Sequence, residues 1–61
     1  MIIRFSTKND RNGNRYQLLV DTDKKTYKRG YYLFMSCDIH TSKQDIQDFI
    51  KYNLVGFTEE Y

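Results

Sequence analysis

Apolar and polar residues alternate along the first third of the chain. The alternation runs over residues 2–10 and returns over residues 15–21, which is typical of β-strands with one buried face. Between them stands Asn12-Gly13, a dipeptide favoured in type I′ turns because both central positions of that turn need a positive φ. We therefore predict a β-hairpin over residues 2–21, closed by a two-residue turn.

This turn also predicts a register for the hairpin. It pairs Arg4 with Asp21, which carry opposite charges, and Phe5 with Val20, which are both apolar. Cross-strand pairs of these kinds each contribute about 0.2–1 kcal/mol.

A second turn is predicted at residues 22–25, and it brings back a third strand over residues 26–37. A two-residue and a four-residue loop give the same register here, with Val20 opposite Tyr27 and Tyr16 opposite Tyr31. In that register the inward residues of the third strand are Tyr27, Arg29, Tyr31, Leu33 and Met35. A bulge at Gly30 would instead turn Tyr32 and Phe34 inward. We favour the regular strand, although Arg29 is a misfit among inward residues.

The pattern changes to helical spacing after residue 41. Thr41 or Ser42 can begin a helix through a capping box, and Ile46, Phe49 and Ile50 then follow at helical intervals. We predict an amphipathic helix over residues 42–53. Asn53 is expected to form a left-handed cap at its end, and residues 55–59 can add a short fourth strand.

These elements predict an α+β fold for residues 1–61 as one small domain. A three-stranded antiparallel sheet, optionally with the short fourth strand, would carry one C-terminal amphipathic helix on one face. A single helix covers one face, so we expect the other face to be open. The candidate binding residues on that face are Arg4, Lys8, Arg15, Leu19, Lys28, Tyr32 and Phe34, and Ser6 and Gln17 lie among them.

Charge is unevenly divided along the chain. Residues 1–29 hold eight Lys or Arg and three Asp, whereas residues 30–61 hold two Lys and five acidic residues. The division predicts a basic side and an acidic side, although the net charge is only +2.

Two classes of function fit an open, basic and partly aromatic sheet face. The first is a non-enzymatic module that binds a protein, as an inhibitor or accessory protein or as a homodimer. The second is a nucleic-acid-binding domain, because aromatic and basic side chains on a sheet bind single strands by stacking and charge.

The segment 29–35 resembles the RNP1 strand of RNA-recognition motifs. It lacks the small residue that follows the first aromatic, and a turn stands where that family has its first helix. We therefore infer no membership of that family.

A small ribonuclease toxin is the remote third hypothesis for the function of the chain.

Catalysis, cofactors and metals are not expected. Cys37 and His40 are the sole Cys and His of the chain, whereas a structural zinc site takes four ligands. A chain of 61 residues also has little bulk to wall a substrate pocket, so no small-molecule substrate is expected.

The first residues lack a secretory pattern, and no apolar run is long enough to span a membrane. We predict a cytoplasmic protein. Codons for its many Ile, Lys, Asn, Tyr and Phe residues are AT-rich, and it has no Ala, which indicates a low-GC bacterium, phage or plasmid.

Overall fold

Within the part of the chain that the structure describes, the sheet has five strands rather than the predicted three or four. A computed structural model describes residues 1–8, 11–32 and 37–60, with the side chain of Tyr32 left out. Its elements are β1 (Ile2–Ser6), β2 (Arg15–Asp21), β3 (Thr26–Tyr32), β4 (Ile39–His40), α1 (Lys43–Asn53) and β5 (Thr58–Glu59). The strand order is β4-β1-β2-β3-β5.

The α+β class with one helix is confirmed, but the purely antiparallel sheet is wrong. The outer strand β4 runs parallel to β1, and the outer strand β5 runs parallel to β3. The helix is not the last element, because it connects these two edge strands across the sheet. Each edge strand has two residues, and an alternating pattern cannot show in so short a segment.

The predicted register of β2 and β3 is confirmed. Tyr16 faces Tyr31 and Val20 faces Tyr27, and the pairing continues through Gly30 without a bulge. The loop has four residues, and Lys25 takes a left-handed φ of 58° there. The strand ends at Tyr32 among the described residues, and Cys37 is not part of it. The predicted positions of Leu33, Phe34 and Met35 lie outside the described residues.

The predicted register of the first hairpin is wrong by two residues. Phe5 faces Leu18 rather than Val20, and Arg4 faces Leu19 rather than Asp21. Gly13 has a φ of 79° but Asn12 has no positive φ, so the expected type I′ turn does not form. A shift of two residues keeps every side chain on its face of the sheet.

The helix begins one residue later than predicted, and Ser42 is its N-cap. The Ser42 hydroxyl accepts a hydrogen bond from the Asp45 backbone N–H at 3.1 Å, and the Thr41 hydroxyl donates to the Asp45 carboxylate at 3.0 Å. The expected left-handed cap at Asn53 is wrong, because Asn53 is still helical and Leu54 follows at a φ of −104°. The predicted strand at 55–59 is reduced to Thr58–Glu59.

One apolar core lies between the helix and the sheet. The Phe5 and Phe49 rings join them, with centroids 4.7 Å apart. The buried residues are Phe5, Tyr16, Leu18, Val20, Ile46 and Leu54, and Ile3, Tyr27, Phe49, Ile50 and Phe57 pack around them. The predicted stripe of Ile46, Phe49 and Ile50 is therefore confirmed.

Candidate functional site

The sheet face opposite the helix is closed to solvent at one end. Ser6 is 0% exposed and Gln17 is 1% exposed, although both lie on this face. The Gln17 amide donates to the Ser6 hydroxyl at 3.3 Å, and the Ser6 hydroxyl donates in turn to the Thr7 carbonyl at 3.0 Å. The expectation that the whole face is open is therefore wrong, since this end holds a buried hydrogen-bonded pair.

Arg4, one of the predicted binding residues, is engaged within the molecule. Its guanidinium lies 3.7 Å from the Asp38 carboxylate, which also accepts the Arg4 backbone N–H at 3.2 Å. The Asp38 N–H donates to the Arg4 carbonyl at 3.1 Å. Asp38 therefore offsets the positive charge of Arg4 at the surface.

The other candidates on this face are spread over two cavities. Leu19 and Lys28 line a cavity of about 140 Å³, together with the exposed Ile2. Lys8 lines a different cavity of about 500 Å³ beside His40. Arg15 is half-buried. The side chain of Tyr32 and all of Phe34 lie outside the described residues.

Neither cavity resembles a small-molecule site. Ligand pockets occupy about 300–1,000 Å³ and enclose most of the ligand. The cavity at Leu19 is smaller than this range, and the cavity at Lys8, although within it, is open to solvent between half-buried and exposed residues.

The outer edge of β3 presents backbone groups with no partner strand among the described residues. The strand β5 pairs with Thr26 and Tyr27 alone. The Tyr27 carbonyl accepts from the Glu60 N–H at 2.7 Å, so the backbone groups of Tyr27 point outward. Because this direction alternates along a strand, the groups of Arg29 and Tyr31 point outward too.

The hydrogen bonding of Tyr16 shows independently that the backbone groups of Tyr31 point outward. The Thr7 N–H donates to the Tyr16 carbonyl, so the Tyr16 backbone groups point away from β3. Tyr31 faces Tyr16 in the register, and its N–H and C=O therefore point away from β2. The free edge consists of Arg29 and Tyr31 with Gly30 between them.

The side chains beside this free edge form an exposed cluster of aromatic and cationic groups. Tyr31 is 57% exposed and its ring contacts that of Tyr16 edge-on, with centroids 5.2 Å apart. The Lys43 ammonium donates to the Tyr31 hydroxyl at 2.7 Å and lies about 5 Å from both ring centroids. This hydrogen bond raises the pKa of Lys43. We call Arg29, Tyr31 and Lys43 the edge cluster.

Arg29 has a place in the structure that the sequence pattern does not reveal. Its guanidinium lies 3.4 Å from the Glu59 carboxylate, which also accepts from the Tyr27 hydroxyl at 3.2 Å. Burial lowers the pKa of Arg29, but the Glu59 charge and the nearby Tyr16 and Tyr27 outweigh it, so the pKa is raised overall.

The edge cluster is absent from the predicted binding residues. Arg29 was expected among the inward residues, and Tyr31 does lie on the helix side of the sheet, as predicted. Its neighbour Lys43 comes from the helix, which no local pattern connects with β3. The alternation of Tyr27, Arg29 and Tyr31 is the feature of the sequence that places aromatic and basic groups together on the helix side of β3.

The Cys37 thiol is directed at backbone carbonyl groups. The Cys37 thiol donates to the Ile39 carbonyl at 2.8 Å, and His40 is exposed at the end of β4. Within the described ranges, no three His, Cys, Asp or Glu side chains are grouped closely enough to hold a metal ion.

Compared with protein-family models, curated proteins and solved structures, the chain matches none of them. No helix in the described part of the chain has the length and apolar character needed to cross a bilayer.

Proposed function

We propose that the chain is a non-enzymatic protein-binding module that takes up an extended partner segment alongside the free edge of β3. The observation that carries this proposal is the row of outward backbone groups at Arg29 and Tyr31, beyond the end of β5. An exposed edge of this kind is a template for pairing with a further strand. In such strand addition, main-chain hydrogen bonds supply affinity and adjacent side chains supply specificity.

The edge cluster supplies the side-chain part of this recognition. Tyr and Arg are enriched at protein interfaces and among the residues that contribute most to binding. Tyr31 and Lys43 are already held together by a hydrogen bond, and Arg29 is held by Glu59. A partner therefore meets side chains that are ordered in advance, which lowers the entropic cost of binding.

The opposite face of the sheet gives less support to nucleic-acid binding. Arg4 is paired with Asp38 there, and the buried Ser6 and Gln17 occupy one end of the face. Lys and Arg side chains bind phosphates by displacing the counterions condensed on the nucleic acid, and Arg4 is engaged by the Asp38 carboxylate.

The experiment compares capture by three purified, C-terminally tagged chains: the unsubstituted chain, Arg29→Pro and Arg29→Ala. Proline removes the outward N–H of residue 29, whereas alanine removes the same side chain and keeps the N–H. A captured protein should be held more weakly by Arg29→Ala, which loses one recognising side chain, and lost altogether with Arg29→Pro, which also loses the main-chain donor.

Amide hydrogen exchange on the purified complex completes the test. Slower exchange at Arg29 and Tyr31 in the complex is the expected result. Capture of the same proteins by Arg29→Pro, protection confined to other strands, or capture of nucleic acid alone would each overturn the proposal.

A further inference from the structure

We infer that the extended segment on this edge is β3 of a second copy of the chain, paired antiparallel across a two-fold axis at Gly30. The inference rests on the proposed use of the free edge and names its occupant. Symmetric dimers with one surface meeting itself are the commonest oligomers.

The alternation of backbone groups restricts the registers that two β3 edges can adopt. Hydrogen-bonded partners in an antiparallel pair exchange two N–H···O bonds, so outward-pointing residues must face each other. With Gly30 on the axis, Arg29 faces Tyr31 of the second copy and Tyr31 faces its Arg29. Both outward residues of each copy are then paired.

The neighbouring registers are less complementary. Placing Arg29 on the axis sets two guanidinium groups against each other, and it sets Tyr31 against Tyr27, whose carbonyl is already bonded to Glu60. Placing Tyr31 on the axis sets the two Tyr31 residues opposite each other, so that neither Arg29 faces Tyr31 of the other copy. The register centred on Gly30 alone gives each Arg29 a Tyr31 partner.

The side chains favour that register as well. Tyr27, Arg29 and Tyr31 lie on the helix side of the sheet, so each exposed guanidinium meets an exposed phenol ring of the other copy. A cation over an aromatic face is attracted to it. Gly30 occupies the axis, where residues of a non-hydrogen-bonded pair approach most closely and a missing side chain permits close approach of two backbones.

The extent of the pairing is limited by β5. The Glu60 N–H is bonded to Tyr27, so the shared segment is confined to residues 28–32. So short a pairing predicts a weak, concentration-dependent dimer rather than an obligate one.

The test uses cysteine pairs in a Cys37→Ser background. Arg29→Cys and Tyr31→Cys are prepared separately, concentrated, and oxidised either alone or mixed. In the inferred register residue 29 of one copy and residue 31 of the other have Cα atoms about 5.5 Å apart, which suits a disulfide. The same residue in the two copies, 29 with 29 or 31 with 31, is displaced by two residues along the strand. Its two Cα atoms therefore lie farther apart than the roughly 7 Å that a disulfide can bridge.

A mixed disulfide that predominates over both self-disulfides is the expected result. Predominant linkage of Arg29→Cys to itself, or of Tyr31→Cys to itself, would assign another register and overturn the inference. Val55→Cys, which is exposed and lies outside the shared segment of residues 28–32, measures random collision. Mixed linkage no greater than that of Val55→Cys would also overturn it.

Sedimentation of the unsubstituted chain separates this inference from the proposed function. A dimer that forms with rising concentration and is lost in Arg29→Pro supports the inference. A monomer at all concentrations overturns it and leaves the capture experiment to decide the proposed function. A dimer that persists in Arg29→Pro places self-association elsewhere and contradicts the inference.

Discussion

Tyr31 shows how one residue can order a surface without being buried. Its ring rests edge-on against the buried Tyr16, and its hydroxyl accepts from Lys43. A long Lys side chain ordinarily samples many rotamers, and fixing one costs about 0.5–1.5 kcal/mol on binding. Here a neighbouring phenol restricts that side chain beforehand, at the point where the backbone edge is also exposed.

Tyr31→Phe should lower the pKa of Lys43 toward its ordinary value, because the hydroxyl that stabilises the charged ammonium is lost. A group whose pKa is raised by folding stabilises the protein below its unfolded pKa, and the effect disappears as pH rises through the folded value. The difference in stability between the two proteins is therefore present at neutral pH and is lost at alkaline pH, where Lys43 is deprotonated.

The measurement is an NMR titration of the Lys43 side-chain ammonium. Tyr52→Phe is the matched control, since the Tyr52 ring lies beside a different ammonium, that of Lys51, at 5.3 Å from the ring centroid. An unchanged Lys43 midpoint in Tyr31→Phe would show that the hydroxyl does not hold this ammonium.

At the scale of the element, the helix depends on its first turn. Ser42→Ala removes the side-chain acceptor for the Asp45 N–H and should lower the free energy of unfolding by about 0.5–2 kcal/mol. Urea denaturation measures the change. Ser42→Asp keeps an acceptor and should stay close to the original stability, so an equal loss in both variants would contradict the capping role.

The alternation along β3 predicts opposite outcomes for proline at two adjacent positions. Lys28 faces Leu19 with its backbone groups directed at β2, so Lys28→Pro removes a ladder hydrogen bond inside the sheet. Arg29→Pro removes an N–H that points outward, which edge strands tolerate. Circular dichroism and urea denaturation should show loss of the fold for Lys28→Pro and retention for Arg29→Pro. Equal effects would refute the assigned edge.

The local pattern predicted those elements that are long enough to show a period. The β2–β3 register followed from the turn and from apolar pairs such as Val20 with Tyr27, and the helix from Ile46, Phe49 and Ile50. The first hairpin forms, but its predicted register is wrong. That register rests on one turn preference, and Asn12 does not adopt the positive φ that the turn requires.

What the pattern could not predict depends on contacts between distant segments. Two-residue strands have no visible period, so β4 was not predicted, and the short strand predicted over residues 55–59 was not assigned to the edge of β3. Polar residues are usually exposed, whereas Ser6 and Gln17 are buried with a hydrogen bond from the Gln17 amide to the Ser6 hydroxyl. The edge cluster was missed for the same reason, since Lys43 reaches Tyr31 from a separate element.

At the scale of the molecule, folding joins the basic and acidic halves of the chain. Arg4 pairs with Asp38, and Arg29 pairs with Glu59, so each ion pair links one half to the other. Exposed pairs of this kind contribute at most about 1 kcal/mol each. Their main effect is on the surface potential. Each pair sets a basic residue of the first half beside an acidic residue of the second half, so the surface has less division into a basic side and an acidic side than the sequence predicts.

The single core between helix and sheet makes the whole molecule depend on Leu18. Leu18 is 0% exposed on the central strand, and Leu→Ala in a core costs about 2–5 kcal/mol. At about 0.05–0.15 kcal/mol per residue, a chain of 61 residues has only about 3–9 kcal/mol to lose. Leu18→Ala should therefore remove a large part of the free energy of unfolding, whereas Val55→Ala, at an 81% exposed position, should change stability by less than about 0.5 kcal/mol.

Near-ultraviolet and far-ultraviolet circular dichroism during urea denaturation measure whether the helix and the sheet unfold together. Coincident transitions are expected for the unsubstituted chain, because Ile46 and Leu54 share their contacts with β2 in one core. A helix signal that survives in Leu18→Ala after the aromatic signal has gone would contradict this. It would mean that α1 is stable without the sheet, and that Lys43 keeps its place beside Tyr31 only while two separate units remain docked.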